Sequence, residues 1–284
     1  MTILNWVNNL GKKAKSPIHI ANELQPQWGG ILGIDGKPLK ISGQERTVLI
    51  AVDITTHDPF YFLLAEAEDI ENTKTFLLII KEVFKYPIKA IVSDFGKGKV
   101  FIDLIEKIFP GIPHQVCAVH FSRYVDMRLP KSKKSQFYHE NKLLRSLIKQ
   151  IFFSDKFADV DELFQEFLKI EHIFTKKYQK EIIKSLKKNY DLLTTHFLVE
   201  GLPRDTNIVE NIIKQLNRKL MQTNGFGNES NVYNFLKLWF TCYRFHPFTC
   251  SRYPERNGRC PLSIANSKGT PVDWLKYSVQ NSNS

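Results

Sequence analysis

Between Trp28 and Ala65 the apolar residues come in three short runs separated by turn residues. GILGIDGKPLKI, TVLIAVDIT and PFYFLLAEA each carry the β-branched and aromatic side chains of a strand, and SGQER and THD supply the turns. A three-stranded meander is expected. The period then changes: ENTKTFLLIIKEVFK sets Phe76, Leu77, Ile80 and Phe84 on one side of a helix, IKAIVSD reads as a short buried strand, and KVFIDLIEKIF is again helical. HQVCAVH reads as a fifth strand. Together these elements predict an α/β fold with a mixed sheet covered by helices, in which Asp35 and Asp94 stand on neighbouring strands.

From about Lys131 to Thr195 the pattern is helical throughout. DKFADVDELFQEFLKI puts Phe157, Val160, Phe164, Phe167 and Leu168 on one stripe, and YQKEIIKSLKKNYDLL does the same with Tyr178, Ile182, Leu186 and Leu193. GLPRDT breaks the run. In DTNIVENIIKQLNRKL, Asp205, Thr206 or Asn207 can cap a helix on which Ile208, Ile212, Leu216 and Leu220 recur. NGFGNES is a turn, VYNFLKLWFTCY a last apolar helix, and the chain from His246 onward reads as irregular, basic and proline-containing.

Three acids stand out against this pattern. Asp35 follows Ile31, Leu32 and Ile34; Asp94 follows Ile91 and Val92; Glu210 falls near the first turn of its helix. The order strand acid, strand acid, helix acid suggests two-metal phosphodiester chemistry, because Mg²⁺ takes oxygen ligands, keeps several waters and needs only a few convergent carboxylates on rigid elements. Each acid has a rival reading. Asp35-Gly36 is also a hairpin-turn signal, and Asp53 is a second acid on the neighbouring strand. Asn207 and Glu210 fit a capping box. The string Ser93-Asp94-Phe95-Gly96 has no glycine-rich loop or HRD-type segment beside it, which excludes a kinase.

Charge adds a partner. With 40 Lys and Arg against 29 Asp and Glu the chain carries a formal charge of +11 and a pI near 9.3, which points to a polyanion. Lys97 and Lys99 beside Asp94, Arg218 and Lys219 after Glu210, and Arg244, Arg252, Arg256 and Arg259 interleaved with Tyr243, Phe245 and Tyr253 are the expected phosphate contacts. Arginine pairs bidentately with phosphate, and aromatic faces stack on unpaired bases. The lysines between Lys176 and Lys188 read in good part as a solvated helix face. At 43% hydrophobic and 12% aromatic the chain is expected to be globular. It has no apolar run long enough for a membrane span and no secretory signal at its start, so a soluble, intracellular protein is expected. Cys117, Cys242, Cys250 and Cys260 form no close pair and predict no disulfides. Cys117 with His120 is too small a set for zinc, and Cys242, His246, Cys250 and Cys260 are too loosely spaced.

These residues resemble those of DDE transposases with an RNase H-like catalytic core, in particular the Mutator-like and related prokaryotic insertion-sequence transposases. GIDGKPLK is similar to the family's first-acid segment, IVSDFGKGK to its second, and TNIVENIIKQLNRKL to the helix bearing the third. FPGIPHQVCAVHFSRYV resembles the stretch after the second acid, with Cys117 and His120 at the end of the fifth strand. YRFHPF, RNGRCPLSIA and DWLKY resemble the end of such proteins. The resemblance implies an RNase H-like core over residues 28–125 and 201–245, a helical insertion over 126–200 between the second and third acids, and a basic tail over 246–284. It also implies that residues 1–27 are the edge of an N-terminal DNA-binding module. It implies that Asp35, Asp94 and Glu210 hold two Mg²⁺ or Mn²⁺ ions, with Cys117 and His120 in support. The partners it implies are double-stranded DNA, as transposon ends and target, and further copies of the chain in a homodimer or larger assembly. The setting is the prokaryotic cytoplasm, at the nucleoid. A domesticated copy that only binds DNA, or a nuclease without strand transfer, are the alternatives.

Overall fold

The computed structural model describes residues 3–94, 98–223, 225–266 and 273–279. Its first elements are α1 (Ile3–Lys13), α2 (Pro17–Leu24), β1 (Ile31–Ile41), β2 (Gln44–Asp53), β3 (Asp58–Ala65) and α3 (Ile70–Leu78), the last continued by a π turn at Ile79–Val83. Then come β4 (Ala90–Ser93), α4 (Gly98–Ile108), β5 (His114–Val116), α5 (Ala118–Arg128), α6 (Tyr138–Phe153), α7 (Phe157–Ile170) and α8 (Lys177–Thr194). The last are α9 (Asn207–Leu220), α10 (Glu229–Phe245), α11 (Pro261–Ile264) and α12 (Trp274–Val279). The fold is α/β, with a mixed five-stranded sheet flanked by helices. No described helix is long and apolar enough to cross a membrane. The chain divides into two compact units, residues 1–89, 99–112 and 207–284, and residues 90–98 and 113–206.

In the first unit β1, β2 and β3 form the expected antiparallel meander. The β1–β2 turn is Ser42-Gly43, both at positive φ (48° and 82°), the hairpin geometry whose twist matches that of the strands. Asp35-Gly36 is therefore not a turn: Asp35 lies opposite Ile50 in mid-strand. Val48 to Val52 of β2 are buried without a break, as expected of a strand covered on both faces, and this is why its sequence is a continuous apolar run. Trp28 packs on Phe60 (4.8 Å between ring centroids), and Phe60 stacks on Tyr86 (4.9 Å). α10 runs along β3, with Phe240 stacked on Phe62 at 4.7 Å.

The described residues beyond His246 are more ordered than their composition predicts. Cys260 and Leu262 pack with Ile20 and Leu24 of α2 and with Phe245, and Trp274 and Tyr277 of α12 lie against them. The short helix α11 escaped detection because four residues show no periodicity; its signals are local, Pro261 at the first helical position and Cys260 as cap.

Arg244 requires a correction. Expected as a phosphate contact, it is only 1% exposed and binds both oxygens of Asp58 through Nε (2.7 Å) and Nη2 (2.9 Å). Asp58 is itself fully buried and also accepts Trp28 Nε1 at 2.9 Å. Arg244 stands four and three residues after Phe240 and Thr241, so helical spacing puts it on the inward face of α10.

In the second unit β4 and β5 pair in parallel, Ile91 beside His114 and Ser93 beside Val116. β5 is shorter than expected. It ends at Val116, Cys117 occupies the cap position, and Ala118, Phe121, Ser122 and Val125 are buried at helical spacing on α5. A seven-residue apolar window is too short to separate a strand from the start of a helix. The helices α6, α7 and α8 follow, held by Phe164 stacked on Tyr190 (3.9 Å) and by a buried bond from Gln179 Nε2 to Asn141 Oδ1 (2.8 Å).

Candidate active site

Gly33 lets a helix reach β1. A Cβ at this position would lie 2.5 Å from Ile54 Cδ1 and 2.7 Å from Val209 Cγ2, so only glycine permits so close an approach of the first turn of α9. Residues two apart on a strand share a face. Asp35 therefore stands on the face that Val209 covers, and Glu210 follows Val209 in that first turn. Both acids are half-buried, and Asp35 Oδ1 accepts the Gly36 N–H at 2.8 Å. On the opposite face a Cβ at Gly36 would come within 2.4 Å of both carboxylate oxygens of Glu68. Glu68 is a fourth acid near this strand. It lies in the acid-rich stretch after β3, where neither motif nor period singles it out.

Gly33→Ala is expected to lower stability by about 1–3 kcal/mol, the usual effect of overpacking. Thermal melting checks this, and an unchanged midpoint would mean that α9 does not press on β1 as described.

One rival reading is settled by position. Asp53 is fully buried and accepts four bonds, from the backbone of Gly30 and Thr56, the Thr56 hydroxyl and the Tyr86 phenol. It organises the β2–β3 turn; burial of the Tyr86 phenol, and after that the neighbouring Asp53 charge, hold the Tyr86 pKa well above the ordinary value of a phenol. Helix α9 begins at Asn207, with Glu210 in its first turn.

Asp94 belongs to the second unit and directly follows β4. Its neighbour Ser93 is buried and bonds His114 Nε2 through Oγ at 2.8 Å; burial lowers the His114 pKa to about 4, leaving a neutral imidazole. His120, in the first turn of α5, places Nδ1 at 3.5 Å from Asp94 Oδ1, with each side chain 22% exposed. Around His120 lie Arg123 Nη1 (3.3 Å from Nε2) and Thr206 Oγ1 (3.5 Å from Nδ1). The Thr206 N–H and hydroxyl both point at Cys117 Sγ, at 3.4 and 3.5 Å. Cys117 thus pins the residue that precedes α9, and Thr206 and Arg123 join a cluster in which the sequence had marked Thr206 only as a cap.

The basic candidates divide. Lys99, Arg218, Lys219, Arg252 and Arg259 are exposed. Arg256 is half-buried, bonding the Thr55 carbonyl through Nη2 (3.0 Å) and lying over the Tyr253 ring. Lys97 lies outside the described residues. All four cysteines are free. Among the described residues no three His, Cys, Asp or Glu side chains are gathered closely enough to hold a metal ion.

Comparison with known proteins gives a consistent result. The family model described as "Transposase, Mutator family" matches residues 30–242. The transposases for insertion sequence element IS256 in transposon Tn4001 from Staphylococcus aureus and from Enterococcus faecalis are each 26% identical over 177 residues. That alignment covers 60% of this chain and 42% of each relative, so the chain spans less than half the length of the curated relatives it matches.

Proposed function

This chain belongs to the Mutator family of transposases, and from that premise we propose that it acts on DNA as an insertion-sequence transposase. It would cut phosphodiester bonds at the element's ends and join the freed 3′-hydroxyls to target DNA. The observation that best supports this reading is the seating of Asp35 and Glu210 on one strand–helix contact about Gly33. In this reading the sheet and its helices are an RNase H-like core, the helices over 126–200 are its insertion, and Asp94 completes the acid set.

Asp35, Asp94 and Glu210 are the residues that would hold two Mg²⁺ or Mn²⁺ ions. The donor chemistry suits such a cation, being carboxylate oxygens partly open to solvent on a strand, a strand end and the first turn of a helix, and since no three such side chains are gathered among the described residues, metal and DNA binding would have to draw them together. When bound, the ion pair neutralises charge on the attacking and leaving oxygens. The chain's own part is positional. Gly36 N–H orients the Asp35 carboxylate, His120 orients that of Asp94, and Thr206 and Arg123 orient His120. The exposed Lys99, Arg218, Lys219, Arg252 and Arg259, together with Lys97, supply phosphate contacts that set register without reading sequence. A homodimer or larger assembly would hold the two element ends together.

His120→Ala is expected to raise the metal concentration for half-maximal cleavage about 10–100-fold while leaving DNA affinity unchanged, as loss of a residue that orients a ligand does. Titration of cleavage with Mn²⁺ measures it, and an unmoved midpoint would remove His120 from this role. The function itself is tested with pre-nicked end DNA and a target plasmid. Joined product supports transposition, cleavage without joining supports a nuclease, and binding alone supports an inactive relative.

A further inference from the structure

The helix α8 is amphipathic, and its outer face is predominantly basic. Gln179, Ile182, Ile183, Leu186, Asn189 and Leu193 are buried, while Lys177, Lys180, Lys184 and Lys188 are exposed on the other side. At 3.6 residues per turn these four fall within an arc of about 80° and extend over about 16 Å. Two of the nearby charges are already matched, Glu181 with Arg128 (3.3 Å) and Lys187 with Glu171 (2.9 Å), and the exposed Asp191 lies at the C-terminal end of the row. Among the described residues no carboxylate forms an ion pair with any of the four.

A helix face that only meets water gains from alternating charges four residues apart, and like charges at that spacing destabilise it by a few tenths of a kcal/mol per pair. Lys180, Lys184 and Lys188 form two such pairs in succession. The row therefore carries repulsion that a polyanion would relieve. Duplex DNA bears one negative charge per about 1.7 Å of axis, so a row of about 16 Å runs beside roughly ten of them.

We propose that α8 is a DNA-backbone contact, laying Lys177, Lys180, Lys184 and Lys188 along the phosphates of duplex DNA without regard to sequence. This rests on the reading of the chain as acting on DNA, and extends it to a surface separate from the three acids.

The test is duplex binding by fluorescence anisotropy across a salt series without divalent metal, comparing wild type with K177A/K180A/K184A/K188A. The control is K12A/K13A/K74A/K107A, which removes the same charge from exposed lysines elsewhere. Loss of four phosphate contacts reduces the slope of log affinity against log salt by about 3 to 4, and affinity at 0.1 M salt falls by roughly two to three powers of ten. The fall should be equal for unrelated duplex sequences, with the control close to wild type. An unchanged slope in the α8 variant, or an equal loss in the control, overturns the proposal. Absence of salt-dependent binding by the wild type would instead overturn the functional reading on which it rests. Alanine is the best helix former, so helicity is retained and circular dichroism confirms it.

Discussion

Asp94→Ala is expected to reduce both end cleavage and strand joining by about a thousandfold or more, equivalent to a barrier higher by about 4 kcal/mol. Stability and DNA affinity should change little. Asp94 lies beyond the end of β4 and carries no apolar side-chain bulk, so its truncation forfeits little hydrophobic packing. The same pattern, silent chemistry with retained binding, should follow from Asp35→Ala and Glu210→Ala. Single-turnover cleavage beside thermal melting and anisotropy separates the effects. Wild-type turnover by Asp94→Ala would remove it from the chemistry.

Arg244→Leu is expected to do the reverse, and with a large effect. Removing the guanidinium leaves Asp58 buried with the Trp28 Nε1–H still donating to it but its ionic partner gone, and breaking a buried ion pair costs about 3–5 kcal/mol. For a chain of this size that is a fall in melting temperature of roughly 10 °C. The salt dependence of DNA binding should stay as in the wild type, because a buried arginine releases no counterion. A variant that melts normally but has a shallower salt slope would restore Arg244 to the DNA-facing surface.

The difference between Arg218 and Arg244 shows what a sequence of this kind can and cannot reveal. Both are arginines in a basic stretch near aromatic or apolar residues, but Arg218 lies on the exposed side of α9, whereas Arg244 falls in register with the inward residues of α10. Helical phase separates them. Composition does not. The meander was legible because its turns are marked by Ser42-Gly43 and by the residues from Thr55 to Asp58, and because its strands are long apolar runs. β5 was not, since Val116 and Val119 serve strand and helix equally well, and only packing of Phe121 and Val125 decides where the strand stops.

The same holds for the candidate site. Asp35, Asp94 and Glu210 could be named from their places at the ends or middles of apolar runs. The features that seat or brace them, the gap at Gly33 filled by Val209 and the contacts of His120 with Thr206 and Arg123, join residues far apart in sequence and leave no local signature. Glu68 is a similar case, since its approach to Gly36 depends on how the chain turns after β3.

The account depends on Asp35, Asp94 and Glu210 acting as one ligand set. The most direct measurement is anomalous diffraction from crystals of the protein bound to element-end DNA and grown with Mn²⁺. The expected result is a pair of manganese peaks about 3.5–4 Å apart, each within bonding distance of carboxylate oxygens drawn from those three residues and of the scissile phosphate. Manganese bound without Asp94, or without either of its two partners on β1 and α9, would contradict it.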